Sequence, residues 1–173
     1  IVLTGMRGSG KTTLGKLMAK RMKRRFVDID NEITRLAKMD ISKIVKEHGW
    51  ATMRKLEKKV VKRLSNKKNL VIATGGGTII DPTNAARLKK NGLVIWLDCP
   101  IPTLKTRLNK KKDRPSLLGQ AGTFLDELDD VYLLRRDTYS STSDIKITSS
   151  QIKEKDIIQL LTRYGLGPIY EKS

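Results

Sequence analysis

Gly5-Met6-Arg7-Gly8-Ser9-Gly10-Lys11-Thr12 spells G-x-x-x-x-G-K-[ST], and it stands between a short apolar run and a stretch of helical period. The chemistry this order serves is phosphate binding. Glycines here let backbone N–H groups turn inward around phosphate oxygens, and the helix that opens near Lys11 adds its positive end. Lys11 can reach the terminal phosphates, and the Thr12 hydroxyl can ligate magnesium. A Gly-rich turn that merely joins a strand to a helix would gain nothing from that lysine and that hydroxyl.

Phe26-Val27-Asp28-Ile29-Asp30 closes a second apolar run with carboxylates separated by one residue. On a strand both emerge on the same side, and in an open α/β sheet the carboxyl ends of strands face the ligand crevice. Asp28 can then hold magnesium, directly or through water, while Asp30 can accept hydrogen bonds from a hydroxylated acceptor and take its proton. The plainer reading of Asp30 is an N-cap for a helix starting near Glu32. Gly75-Gly76-Gly77 follows a third run, and residues without side chains let a ligand come close to the backbone. Gly-rich loops after two different parallel strands point at one crevice.

Other residues are ambiguous by themselves. Arg54 and Glu57 lie three apart on a helical stretch that buries Met53, Leu56 and Val60, so they can pair with each other. Alone, that spacing reads as a solvated face, like Lys55, Lys58 and Lys59 beside it. Arg135 and Arg136 close a later helix ahead of Tyr139 and can simply complement its C-terminus. Arg114, next to Pro115, is either a phosphate clamp or an ordinary surface charge. His48 before Gly49 reads as a helix-end residue, and Cys99 as a small residue at a strand end.

These residues need a scaffold, and short β-branched runs alternating with helical stretches supply the pattern of βαβ units around a parallel sheet. Strands are expected at residues 1–4, 26–29, 70–73, 93–97 and 145–148, with the third and fourth at the sheet centre because their apolar runs are nearly continuous. Helical spacing joins Leu14, Leu17, Met18 and Met22; Met53, Leu56, Val60 and Leu64; and Leu125, Leu128 and Tyr132. A last helix carries Ile157, Ile158, Leu161 and Tyr164, with Gly165 as its stop. Residues 109–122 have no clear period, contain a triple lysine, and read as a mobile surface loop.

With 173 residues and no linker, one domain over 1–173 is expected. Hydrophobic residues at 38% and charged residues at 31% fit a soluble globular chain and leave no run of membrane-spanning length. One cysteine and one histidine exclude an internal disulfide, a Cys-based zinc site and a His-pair metal site. A net charge of +18 calls for anionic partners. The basic tracts at 20–25 and 110–112 lack interleaved aromatics, so they are read as solvated faces and no nucleic-acid partner is expected. The chain begins at Ile1, inside an apolar run, so residues or a targeting peptide can be missing upstream.

Taken in order, the residues above resemble the shikimate kinase family, and the likeness runs from Ile1 to about Thr162. It rests on the phosphate loop, the F-x-D-x-D segment, R-x-x-E at Arg54 and Glu57, the triple glycine, Arg114-Pro115, and R-x-x-x-Y at Arg135 and Tyr139. The resemblance implies an α/β fold: a three-layer αβα P-loop kinase with a parallel five-stranded sheet flanked by helices and a mobile lid at about residues 109–122. It implies phosphorylation of the 3-hydroxyl of shikimate with ATP and Mg²⁺, giving shikimate 3-phosphate and ADP in the pathway to chorismate and the aromatic amino acids. By the same likeness Lys11, Asp30 and Arg114 are catalytic. Gly8, Ser9, Gly10, Lys11, Thr12, Thr13, Arg107 and Arg114 contact the nucleotide, and Thr12 and Asp28 hold the metal. Asp30, Arg54, Glu57, Gly75, Gly76, Gly77 and Arg135 form the shikimate site, with Arg54 and Arg135 on the carboxylate and Glu57 orienting from behind.

The sequence departs from the family pattern at Trp50, where Glu commonly follows the glycine, and at Met53, where Phe commonly precedes the arginine. Asp137-Thr138 stand where Pro-Leu is usual, and the lid has one residue more after Pro115. Two rival readings are another small-molecule kinase of the same fold, of the gluconate or nucleoside monophosphate type, and a catalytically idle kinase-like regulatory domain. An idle domain usually loses Lys11 or an aspartate, and neither is lost. The expectation is a monomer without a membrane partner, cytoplasmic, with an organellar location left open by the incomplete N-terminus.

Overall fold

The structure, a computed structural model, describes residues 1–109, 125–148 and 154–166. Its strands are β1 (Val2–Thr4), β2 (Arg25–Asp28), β3 (Leu70–Ala73), β4 (Val94–Asp98) and β5 (Ile145–Thr148). They form one parallel sheet in the order β2-β3-β1-β4-β5. β3 and β5 fall where the sequence places them; β1 starts one residue later, and β2 and β4 are displaced by one residue at both ends, towards the N-terminus and the C-terminus respectively.

The helices are α1 (Lys11–Arg21), α2 (Ile29–Ala37), α3 (Ile41–Ser65), α4 (Pro82–Lys90), α5 (Ile101–Asn109), α6 (Leu128–Thr142) and α7 (Glu154–Arg163), with a 3₁₀ turn at Thr78–Ile80. α4 and α5 have nine residues each, too few for repeated apolar spacing, and the sequence reading does not anticipate them. Asp81 starts α4 by accepting from the backbone N–H groups of Thr83 and Asn84, at 3.0 and 3.1 Å.

The centre of the sheet differs from expectation. β1, not the β3–β4 pair, is central: Val2 pairs with Ile72 on one side and with Val94 on the other. Its three residues are all buried, but a run so short shows little of that in its sequence. Side chains then alternate between two cores. Val2, Ile72, Val94 and Trp96 face α3, α4 and α6, whereas Leu3, Val71, Ile95 and Leu97 face α1 and α7. Strands of three to five residues depend on this burial, at about 1.5–3 kcal/mol for each fully buried aliphatic side chain.

Parallel pairing carries the carboxyl ends of β1, β2 and β3, and the segments that follow them, to the same end of the sheet. Gly5 follows β1 with φ +133°, and a Cβ on it would stand 2.4 Å from the carbonyl oxygen of Leu97 in β4. The loop that begins there is thus seated against the neighbouring strand. Gly5→Ala is expected to lower unfolding free energy by about 2–4 kcal/mol, combining positive-φ strain with a backbone clash. Chemical denaturation of the two proteins measures this; equal midpoints would contradict it.

Candidate active site

The phosphate loop and the start of α1 form one wall of a cleft of about 700 Å³. Gly10, in left-handed conformation, stands at the N-terminus of α1 and supplies no capping side chain. The first backbone N–H groups of the helix therefore stay available to an anion. Lys11 is buried, and its Nζ donates to the carbonyls of Gly5 at 2.9 Å and Met6 at 2.8 Å. Gly8, Ser9, Thr12 and Thr13 line the same cleft. So does Arg107 of α5, whose Nη1 donates to the Gly8 carbonyl at 3.2 Å and lies 3.5 Å from Cys99 Sγ. Arg114 and residues 110–122 of the expected lid lie outside the described residues.

The two aspartates reach the cleft by a route other than strand alternation. β2 ends at Asp28, and Asp28, not Asp30, is the N-cap: its Oδ1 accepts from the Asp30 backbone N–H at 3.0 Å. Asp30 is already in the first turn of α2. The Oδ2 of Asp28 accepts from the Thr12 hydroxyl at 2.9 Å, so the carboxylate joins the start of α1 to the start of α2. Burial pushes the Asp30 carboxyl above its ordinary value of 3.8, and Asp28 beside it pushes the same way, against Lys11 and Arg7. An aspartate so placed binds a proton more readily than an exposed one.

A smaller recess opens beside the cleft and shares Arg7, Asp30, Gly75 and Gly76 with it. It brings together Arg54, Glu57 and Arg135, three of the residues that were ambiguous singly. Glu57 is fully buried and accepts from Arg54 Nη1 at 2.8 Å and from the Thr78 hydroxyl at 2.8 Å. The Arg54–Glu57 pair is thus no solvated face. The triple glycine fits closely among these groups: a Cβ on Gly75 would lie 2.7 Å from Asp30 Oδ1, and one on Gly77 2.6 Å from Arg54 Nη2.

Arg135 arrives from α6, which does not close at Arg136 but runs through Asp137 and Thr138 to Thr142. Tyr139 therefore sits one turn after Arg135 on the same side. It is fully buried, and its hydroxyl donates to the carbonyl of Gly76 with Met6 Sδ 3.6 Å away. Burial pushes that hydroxyl up to about 12, so it remains a donor at neutral pH. His48 is exposed, and Cys99 is buried behind Arg107.

Sequence reasoning missed Arg7, Thr78 and the apolar side of the recess, where Ile41, Trp50 and Met53 stand. Arg7 occupies a position the loop pattern leaves open. Thr78 had a signal, since a hydroxyl directly after the triple glycine can reach whatever that loop packs against.

The sequence profile of the family described as shikimate kinase matches residues 7–164. The chain is 38% identical over 161 residues to the shikimate kinase of Nitrosomonas europaea, covering 93% of this chain and 75% of that one. It is 40% identical over 149 residues to the shikimate kinase of Persephonella marina, covering 86% and 88%. The fold superposes on a shikimate kinase from Acinetobacter baumannii in complex with shikimate with a TM-score of 0.86 and 33% identity, covering 95% and 91%.

The raised Asp30 carboxyl has a measurable effect on stability. The folded chain holds this proton more tightly than the unfolded chain, so the contribution of Asp30 to stability is fully present below the ordinary value of 3.8 and is lost as pH rises through the raised folded value. Asp30→Asn should therefore melt higher than the unaltered protein at pH 7. The difference should shrink as pH is lowered towards 3.8. A gap independent of pH would contradict this account.

Proposed function

The chain belongs to the shikimate kinase family, and on that premise we propose that it transfers the terminal phosphoryl group of ATP to the 3-hydroxyl of shikimate, with the residues of the cleft and recess in the roles that follow. One observation carries the assignment of roles: the cleft along the phosphate loop and the Asp30–Arg54–Arg135 recess adjoin and share Arg7, Asp30, Gly75 and Gly76 in their linings.

The nucleotide phosphates lie along the loop from Gly8 to Thr13, on the N–H groups at the start of α1. Lys11 exchanges its bonds to the Gly5 and Met6 carbonyls for phosphate oxygens, and it stabilises charge developing on the transferring group. Arg107, which lines the cleft beside Gly8, is assigned to the nucleoside end, and Arg114 is assigned to the nucleotide phosphates. Phosphoryl transfer asks for little covalent help from a protein, so most of the catalysis is positioning and positive charge.

The acceptor lies in the recess. Arg54 and Arg135 offer planar, doubly donating partners to its carboxylate, while Gly75, Gly76 and Gly77 let its ring approach the backbone. Glu57 holds Arg54 from behind. Asp30 takes the proton of the 3-hydroxyl as the oxygen attacks phosphorus, and ADP leaves along the loop. The raised proton affinity of its carboxyl suits a group that must accept a proton.

Thr12 Oγ1 and Asp28 Oδ2, 2.9 Å apart at the base of the loop, are hard oxygen donors. They fit magnesium, which takes one or two protein oxygens and completes its shell with phosphate and water. When bound there, the ion supplies charge neutralisation on the phosphates. Among the described residues no helix is long and apolar enough to cross a membrane. The reading takes the protein to work as a cytoplasmic monomer on a small-molecule substrate.

A coupled ADP-release assay tests the activity: ADP must appear faster with shikimate than without it, and no difference would defeat the reading. Lys11→Ala should lower kcat by about 10²-fold or more with the fold intact. Arg54→Lys and Arg135→Lys keep charge and lose the planar fork, so KM for shikimate should rise far more than KM for ATP. Equal weakening of both substrates would remove the arginines from carboxylate recognition.

A further inference from the structure

Arg54 is held on three sides. Glu57 Oε2 accepts from its Nη1 at 2.8 Å. The Gly77 backbone fits so closely that a Cβ there would stand 2.6 Å from Nη2. Trp50 covers the third side, with the guanidinium carbon 5.4 Å from the indole ring centre, within the range of a cation–π contact. The Arg54 side chain keeps 33% of its exposure, so one side remains open, and Arg54 lines the recess with Asp30 and Arg135.

The backbone sets this contact. Gly49 takes φ 75° and ψ 167° inside α3. The helix restarts at Trp50, and Arg54 follows one turn later on the same side. Trp50 packs against the same core as Ile41 and Met53, and all three line the recess. The indole is therefore braced from behind while its face meets the guanidinium.

We propose that Trp50 is a positioning residue for the acceptor: its ring fixes the plane of Arg54 and keeps water from its back, so that the guanidinium meets the substrate carboxylate as a ready-made fork. The proposal rests on the reading of the chain as a kinase that phosphorylates shikimate. An aromatic face suits this task because it attracts the cation without occupying its N–H donors. A carboxylate at position 50 would offer those donors a second internal partner beside Glu57. Trp50 leaves them to the substrate.

The test compares Trp50→Ala, Trp50→Leu and Trp50→Phe with the unaltered protein, using ADP release at varied shikimate and varied ATP. Trp50→Ala should raise KM for shikimate about 3- to 10-fold, with kcat and KM for ATP changed by less than about twofold. Trp50→Phe keeps a ring face and should restore KM to within about twofold of the unaltered value, whereas Trp50→Leu keeps bulk alone and should behave like Trp50→Ala. The Leu and Phe variants decide the matter if the Ala variant melts too low to assay. An unchanged KM in Trp50→Ala, a Trp50→Leu enzyme as good as Trp50→Phe, or an equal rise for both substrates would each overturn the proposal. If the unaltered protein shows no shikimate-dependent ADP release, the functional reading itself fails and takes the proposal with it, a result that precedes any variant.

Discussion

A carboxylate with no access to water has to be met by donors, and Glu57 is such a group. Its two oxygens take Arg54 and Thr78, so one buried side chain ties α3 to the turn that follows the triple glycine. The arginine gains a fixed orientation, and the glycine loop gains a fixed distance from the helix. Tyr139 holds the same loop from the other direction through the carbonyl of Gly76. Between them α3 and α6 grip three residues that have no side chains of their own to hold them in place.

The phosphate loop, two of the five strand spans and most helices were legible in the sequence because each is a local pattern: a motif, an apolar run, a period. What failed was set by partners distant along the chain. β1 is central because β3 and β4 flank it, and nothing in three residues announces that. The end of β2 was misread because Asp28 caps α2, and a cap between a strand and a helix without a loop leaves no gap in the apolar pattern. Arg54 and Glu57 have the spacing of any exposed ion pair. Only Thr78, 21 positions away, shows that the carboxylate of this pair is held inside the fold. Arg7 could not be found by motif, since the pattern is silent there.

Part of the +18 charge has a structural account. Lys20 and Arg21 close α1, Lys62 and Arg63 close α3, and Arg87, Lys89 and Lys90 close α4, where cations complement the helix dipole. The opposite ends are more selective. α2 and α6 carry acids in their first turns, Asp30 with Glu32 and Asp129 with Asp130, while α1, α3, α4 and α5 carry none. An acid at the start of α1 would set its charge against any anion held by the first N–H groups of that helix.

Met6 touches both halves of the site. Its carbonyl accepts from Lys11, and its sulfur lies beside the Tyr139 hydroxyl that holds Gly76. A residue shared in this way couples the loop after β1 to α6: a change of the Met6 side chain is felt at the Tyr139 hydroxyl, and a shift of that tyrosine is felt by the loop whose carbonyls hold Lys11. The tolerance of position 6 is therefore set by a residue 133 positions away as much as by its own loop.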